Sequence, residues 1–441
     1  MQDDNHKTEI RTGGGTYIGG NVYTGGGDFI GRDALGSGGL PPLDLDSDEM
    51  LTARERYLGA LRRDYNLVAT HAFTAFAEDK EVGNPRQLPL LGKGGVYTAL
   101  LFDVPTPRGE LSLEAAAWKD LEQEDGIERE ARPHPQTFSE ILNAFPGHLA
   151  IVGDAGSGKT TLLHVLISAL AAPDPTQIAP DLAAVLPTPL PLPIFLPLRF
   201  FEKACCEQGG KRYTHCAPDL LRFIDDWFAQ WHKSDLPAGF LAAQLRAGRA
   251  WLLLDALDEI VDPAHRETVR NVIQDLAAQI EGTRMIVTAR LTAYHNTQLN
   301  DRFTVVTVRD LNDNQRTRMV RALYNSLALT EAKRRAEELA WRFQASESLQ
   351  TLARTPVMVW TAAVIHALRG ELPEGRAALY DAYVEILLKQ SFKRNRYDTS
   401  TVDALAEGEG WPLADRRHYL TYAAFKVHRL LESYPDRKSV V

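Results

Sequence analysis

The chain has 441 residues, 44% of them hydrophobic and 24% charged, and a formal net charge of -9 at pH 7. That length implies roughly two to four structural units, and the acidic balance argues against broad coating of nucleic acid, which is not predicted as a partner. No apolar run reaches the roughly 18 residues needed to span a bilayer, and Met1-Gln2-Asp3-Asp4-Asn5 lacks the basic and apolar regions of a secretory signal, so a cytoplasmic protein with no membrane partner is expected.

The first 40 residues carry a glycine-rich internal repeat. Gly13-Gly14-Gly15-Thr16-Tyr17-Ile18-Gly19-Gly20-Asn21 aligns with Gly25-Gly26-Gly27-Asp28-Phe29-Ile30-Gly31-Arg32-Asp33 at a spacing of twelve residues. An aromatic-Ile pair at fixed phase between glycine turns fits short stacked β-arcs, within one chain or between chains; a disordered tether is the alternative. Pro41-Pro42 and the acidic run to Asp48 read as a linker. A helix is then expected from Ser47 to about Tyr65, where Met50, Leu51, Tyr57, Leu58 and Leu61 recur at helical spacing. Residues 86–108 hold strand-like and proline-broken pieces and 119–134 are highly charged, and this part of 41–137 is read as a connector packed against the next domain.

From about 138 to 310 strand and helix alternate, which predicts an α/β unit built on a mostly parallel sheet covered on both faces. Expected strands are His148–Val152, Pro193–Leu198, Trp251–Asp255, Met285–Arg290 and Phe303–Val308. Strand patterns stop beyond 311, and two or three helices are expected over 312–370, with more at 375–390 and 414–432.

Gly153-Asp154-Ala155-Gly156-Ser157-Gly158-Lys159-Thr160 fits G-x-x-x-x-G-K-[ST] at every fixed position. Such a loop turns backbone N–H groups onto phosphates, sets a lysine ammonium on the outer ones and offers a hydroxyl to Mg²⁺. Thr161 and the apolar residues after it open a helix whose N-terminus adds to the anion site. The expected ligand is a nucleoside triphosphate with magnesium. Hydrolysis also needs acids near the metal and the attacking water, and Asp255-Ala256-Leu257-Asp258-Glu259 supplies them. Asp255 ends an apolar strand, from which a carboxylate reaches the metal beside Thr160. Asp258 and Glu259 follow in the turn, where one orients or deprotonates water. Arg290, at the end of the next apolar strand, is placed to sense the terminal phosphate or stabilise transferred charge. The three cysteines, Cys205, Cys206 and Cys216, are an odd number that suits a reducing compartment; with His215 their spacing fits no zinc pattern, and they read as ordinary thiols.

Together the loop, the block Leu252-Leu253-Leu254-Asp255-Ala256-Leu257-Asp258-Glu259 and the strand Ile286-Val287-Thr288-Ala289-Arg290 resemble the NACHT module of the STAND class of P-loop NTPases. The block D-[G/A/S]-x-D-E is the distinguishing feature. Arg354-Thr355-Pro356-Val357-Met358 is similar to the helical-domain segment whose proline packs on adenine, and 370–380 is similar to the entry to a winged-helix region. The resemblance spans about 140 to 430. It implies an AAA+/STAND-like sheet at 138–310, a helical domain at 311–370 and a partial winged-helix region at 371–441. It also implies ADP held in a closed monomer, exchange for ATP, slow hydrolysis, and homo-oligomerisation that activates an effector. In bacteria such proteins are implicated in defence against phage, with a phage component as one candidate trigger. The repeat at 13–33 looks like one seen ahead of such modules. Neither a C-terminal sensor repeat nor an N-terminal effector is recognisable, so effector and trigger are left unassigned. A conventional P-loop ATPase acting on a client, or a scaffold that binds nucleotide without cleaving it, would share every site residue.

Overall fold

The structure is a computed structural model that describes residues 43–65, 67–69, 87–89, 95–104, 135–174, 178–206, 213–232, 236–326, 331–373 and 377–382. The glycine-rich repeat, most of the expected winged-helix region and the helix expected at 414–432 lie outside the described residues. Among those described, no helix is long and apolar enough to cross a membrane.

Strands β1 (Leu67–Ala69) and β2 (Gln87–Pro89) form a small antiparallel pair. The remaining strands are β3 (Leu101–Asp103), β4 (Gln136–Thr137), β5 (His148–Gly153), β6 (Leu192–Pro197), β7 (Ala250–Asp255), β8 (Arg284–Arg290) and β9 (Phe303–Val308), and they join in one sheet ordered β4-β3-β9-β5-β8-β7-β6. The stretch from β9 to β6 is wholly parallel, whereas β3 runs antiparallel to both β4 and β9. All six residues of β7 are buried, and so are the last five of β5, which explains why both read as unbroken apolar runs. Strands covered by helices on both faces have no solvent side to alternate with.

The sheet reaches beyond the range read from sequence. β3 and β4 come from the stretch read as a connector, and at two or three residues each they are too short to show a period. The helix Asp48–Tyr65 from the same stretch docks on the domain and buries Met50, Ala53, Tyr57, Leu58 and Leu61, with Leu51 turned outward. Its polar contacts close the β6 edge of the sheet. Tyr57 Oη donates to Pro193 O at 2.7 Å, Arg54 Nη2 donates to Leu190 O at 3.0 Å, and Arg249 pairs with Asp46 through both guanidinium nitrogens at 2.6 and 3.0 Å.

Proline placement explains how this edge is tolerated. Leu192 N–H donates inward to Arg249 O, so residues of the opposite parity turn their backbone groups to the free side. Pro193 and Pro197 have that parity, and the N–H groups they lack would have had no strand to meet.

After β9 the chain is helical at Asp313–Ser326, Ala332–Ala345, Glu347–Leu352 and Pro356–Arg369. These pack around Val320, Leu323, Tyr324, Leu339, Phe343, Val359 and Ile365, each about 1% exposed or less. Leu311 N–H donates to Arg354 O at 2.8 Å, and the Arg354 guanidinium pairs with Asp310 at 2.7 Å, tying the residues just before the helix Pro356–Arg369 back to the end of the sheet.

Candidate functional site

β5 ends at Gly153 and the chain returns as the helix Lys159–Leu170, with Gly158 as its N-cap. Between them Gly156 holds φ +75°, a left-handed backbone that side-chain-bearing residues adopt at a cost. Asp154, Ala155 and Gly156 form the exposed tip, Ser157 is buried, and Thr161 lies half-buried in the first helical turn. First-turn amides of a helix have no partner within it, so those of Lys159, Thr160 and Thr161 are donors for an anion. Lys159 Nζ folds over the same loop, donating to Gly153 O at 2.7 Å, Asp154 O at 2.9 Å and Ser157 Oγ at 3.3 Å. Burial lowers its pKa from the ordinary lysine value, against the pull of Asp258 and Asp255. Phosphate oxygens would replace the loop carbonyls as acceptors, and their negative charge would offset the cost of that burial.

The strand order decides what faces this loop. β8 lies between β5 and β7, and the rung Leu254 opposite Val287 brings Asp255 beside Thr288. Thr288 Oγ1 donates to Asp255 Oδ1 at 2.5 Å, while Thr160 Oγ1 donates to Asp255 Oδ2 at 2.9 Å. Burial raises the Asp255 pKa above its ordinary value and these two hydrogen bonds oppose the rise. The next residue, Ala256, is left-handed at φ +57°, and its N–H donates to Thr288 Oγ1 at 2.8 Å. A left-handed turn gives a physical reason for a small residue after the acid, because bulky or β-branched side chains are strained there.

The parallel pairing of β5 with β8 places Arg290 beside the loop, on the rung opposite Gly153. Its backbone N–H donates to Asp258 Oδ1 and its Nε lies 2.9 Å from Asp258 Oδ2, so one carboxylate holds both ends of the residue. The Asp258 side chain is 7% exposed and that of Arg290 is 55% exposed. Glu259 faces the other way and pairs with Arg199, at the start of the helix Leu198–Cys206, whose guanidinium also lies over the Phe200 ring at 4.6 Å.

The helix Pro356–Arg369 begins on the loop itself. Val357 N–H donates to Gly156 O at 3.4 Å, and a Cβ built on Gly156 would come within 2.7 Å of Val357 Cγ1. Pro356 Cγ lies 3.6 Å from the Cβ position of Gly158. The structure thus gathers Gly153 to Thr161, Asp255, Asp258, Arg290 and Pro356 at one end of the parallel strands, with Glu259 held slightly apart by Arg199. Thr288, Arg199 and Val357 contribute without being fixed positions of the phosphate-loop or acidic-block patterns, although Thr288 and Val357 lie within segments that carry the resemblance. Only Thr288 leaves a trace in the sequence, as a hydroxyl in an otherwise apolar buried strand.

The donor set fits a magnesium nucleotide. A hydroxyl and a carboxylate within hydrogen-bond reach of each other, Thr160 and Asp255, are hard oxygen ligands of the kind Mg²⁺ takes beside phosphate oxygens. Fold and site together define an α/β P-loop NTPase.

Residues 148–326 match the NACHT domain family, a span that takes in the parallel strands β5 to β9 and the first helix beyond them. A second match, to the FtsK/SpoIIIE family, covers 109–179 and overlaps the first at β5, the loop and the helix after it. No curated protein matches the chain. Among solved structures it is similar to C. elegans PCH-2, at 13% identity and a TM-score of 0.28, covering 57% of this chain and 64% of that one. It is also similar to the Aeropyrum pernix ORC1 protein in a complex with DNA, at 14% identity and a TM-score of 0.32, covering 65% of this chain and 75% of that one. The chain thus spans slightly less than two thirds of the first of these structures.

Proposed function

We propose that this protein is an ATP-binding signalling switch that holds ADP at rest, exchanges it for ATP, and self-associates to engage an effector, with slow hydrolysis resetting the state. The contact that carries this reading is Val357 on Gly156: the first turn of a helix from the following helical region rests on the tip of the phosphate loop. A nucleotide that moves the loop tip must therefore move or release that helix. A conventional ATPase has no need for such a lock.

The residues divide the work as follows. The loop amides from Gly156 to Thr161 and the Lys159 ammonium bind and orient the phosphates. Bound magnesium, held by Thr160 and Asp255, supplies neutralisation of charge on the phosphate oxygens. Thr288 keeps Asp255 aimed at that position. Glu259 orients or deprotonates water once it leaves Arg199, and Arg290 stabilises transferred charge once Asp258 releases it. The sequence resemblance is what supports adenine as the base, Pro356 as part of its seat, and a role in bacterial defence against phage.

Sedimentation of the full chain with ADP and with a non-hydrolysable ATP analogue tests the reading. The expected result is a monomer with ADP and a larger assembly with the analogue, enhanced by Glu259→Gln. Equal mass in both nucleotides, with binding demonstrated by calorimetry, would overturn it.

A further inference from the structure

Cys206, an ordinary thiol by its sequence spacing, meets two residues that no spacing rule pairs with it. Glu202 lies one turn before it on the helix Leu198–Cys206, and His265 lies in the first turn of the helix Pro263–Gln279. Cys206 Sγ is 3.6 Å from His265 Nδ1 and 3.4 Å from Glu202 Oε1, and His265 Nδ1 is 2.9 Å from Glu202 Oε1. Thiolate, imidazole and carboxylate are the three ligand types that zinc binds.

We propose that Glu202, Cys206 and His265 form a binding site for one zinc-class transition-metal cation, joining the helices Leu198–Cys206 and Pro263–Gln279. The geometry supports this quantitatively. Bond lengths of about 2.3 Å to sulfur, 2.05 Å to nitrogen and 2.0 Å to oxygen, at a tetrahedral angle, set ligand separations of about 3.6 Å for S to N, 3.5 Å for S to O and 3.3 Å for N to O. Both separations from sulfur match within about 0.1 Å, and the short N to O separation is a hydrogen bond whose proton the cation replaces. On binding, the thiol proton leaves to solvent, and the proton shared between Nδ1 and Oε1 leaves to solvent from a cationic imidazole or is carried on Nε2 in a neutral one, so affinity rises with pH. The fourth tetrahedral position is left for water or another donor, and the His215 ring stands beside His265 with centroids 5.8 Å apart.

The three ligands are half-buried, which leaves a path for the ion. The two joined helices flank the turn Leu257–Glu259, and the first of them also carries Arg199 on Glu259. The site nevertheless shares no side chain with the phosphate loop. Metal binding can therefore be read whether or not the nucleotide proposal holds.

The test is titration of the full chain, reduced and freed of metal, with cobalt(II) and then zinc(II). One equivalent of cobalt should give a thiolate-to-cobalt charge-transfer absorption that zinc abolishes. Cys206→Ser should lose the band, and Glu202→Gln and His265→Ala should bind cobalt at least ~10-fold more weakly, since even partners outside a coordination shell are worth about 10–100-fold. Cys216→Ser should keep the wild-type band. Circular dichroism identifies variants that have folded; if Cys206→Ser has not, Glu202→Gln decides, because it changes one atom on a half-buried side chain. A wild-type protein without the band at stoichiometric cobalt, a band that moves with Cys216, or wild-type affinity in folded Glu202→Gln would each overturn the proposal.

Discussion

Thr288 on β8 bridges two consecutive residues, Asp255 at the end of β7 and Ala256 after it, donating to Asp255 Oδ1 at 2.5 Å and accepting the Ala256 N–H at 2.8 Å. One buried hydroxyl thus aims the metal-side carboxylate and satisfies the strained turn that follows. Thr288→Val keeps the shape and leaves both partners short, a loss of about 1–3 kcal/mol. Urea denaturation should show that loss, whereas Thr288→Ser, which keeps the hydroxyl, should stay within about 1 kcal/mol of wild type.

Gly156 and Gly370 separate the cost of backbone conformation from that of contact. Both are left-handed, at φ +75° and +77°, but among the described residues a Cβ at Gly370 meets nothing within 4 Å while one at Gly156 meets Val357. Gly370→Ala should cost about 1–2 kcal/mol, the backbone penalty alone. Gly156→Ala should cost more, and Val357→Ala should restore part of the excess in the double variant. Equal losses at the two glycines in urea melts would mean that the helix is not seated on the loop.

Lys159→Ala should weaken ATP binding by at least ~100-fold, because two charge-assisted hydrogen bonds at about 1.5–3 kcal/mol each are lost and 1.4 kcal/mol is a factor of ten. Isothermal calorimetry measures this directly. An affinity within tenfold of wild type, in a variant with unchanged circular dichroism, would remove the lysine from the phosphate site.

His164 gives the fold an acid limit. It sits on the helix after the loop, between Tyr65 and Phe195 with ring centroids at 5.0 and 5.4 Å, and burial pushes its pKa down to about 4 from 6.5. As pH falls below 6.5 the unfolded chain takes up this proton before the folded one does. Stability therefore declines from pH 6.5 to about pH 4, by up to roughly 3 kcal/mol from this group. His164→Phe removes the linkage, so its stability relative to wild type should rise as pH is lowered from 7 to 4. A difference that does not change with pH would refute it.

Motifs that act through neighbours in sequence are legible from the residues alone. The phosphate loop needs only a strand, a run of glycines and a helix in order, and all three are local. Strands β5 and β7 stand out as the unbroken apolar runs of buried parallel strands, whereas β8 and β9 stand out through their β-branched residues, with Thr288 interrupting the one and Thr304 and Thr307 the other. Of the short strands, β3 falls in a stretch that reads as strand-like pieces without fixed bounds and β4 leaves no signal, since two or three residues carry no period. Arg199 on Glu259 and Val357 on Gly156 are hidden for another reason: each joins residues 60 or more positions apart, and neither residue type is unusual where it stands.

What the sequence determined by itself was the chemistry available: a phosphate loop, acids after a buried strand, an arginine after the next, and thiols without a recognisable ligand spacing. Tertiary structure decided which of these groups meet. Inserting β8 between β5 and β7 placed Thr288 on Asp255 and Arg290 on Asp258, because strand order follows from packing of whole helices and sheets rather than from local propensity. The same long-range packing carried His265 to Glu202 and Cys206, bringing an imidazole and a carboxylate to a cysteine that its own neighbours left unremarkable.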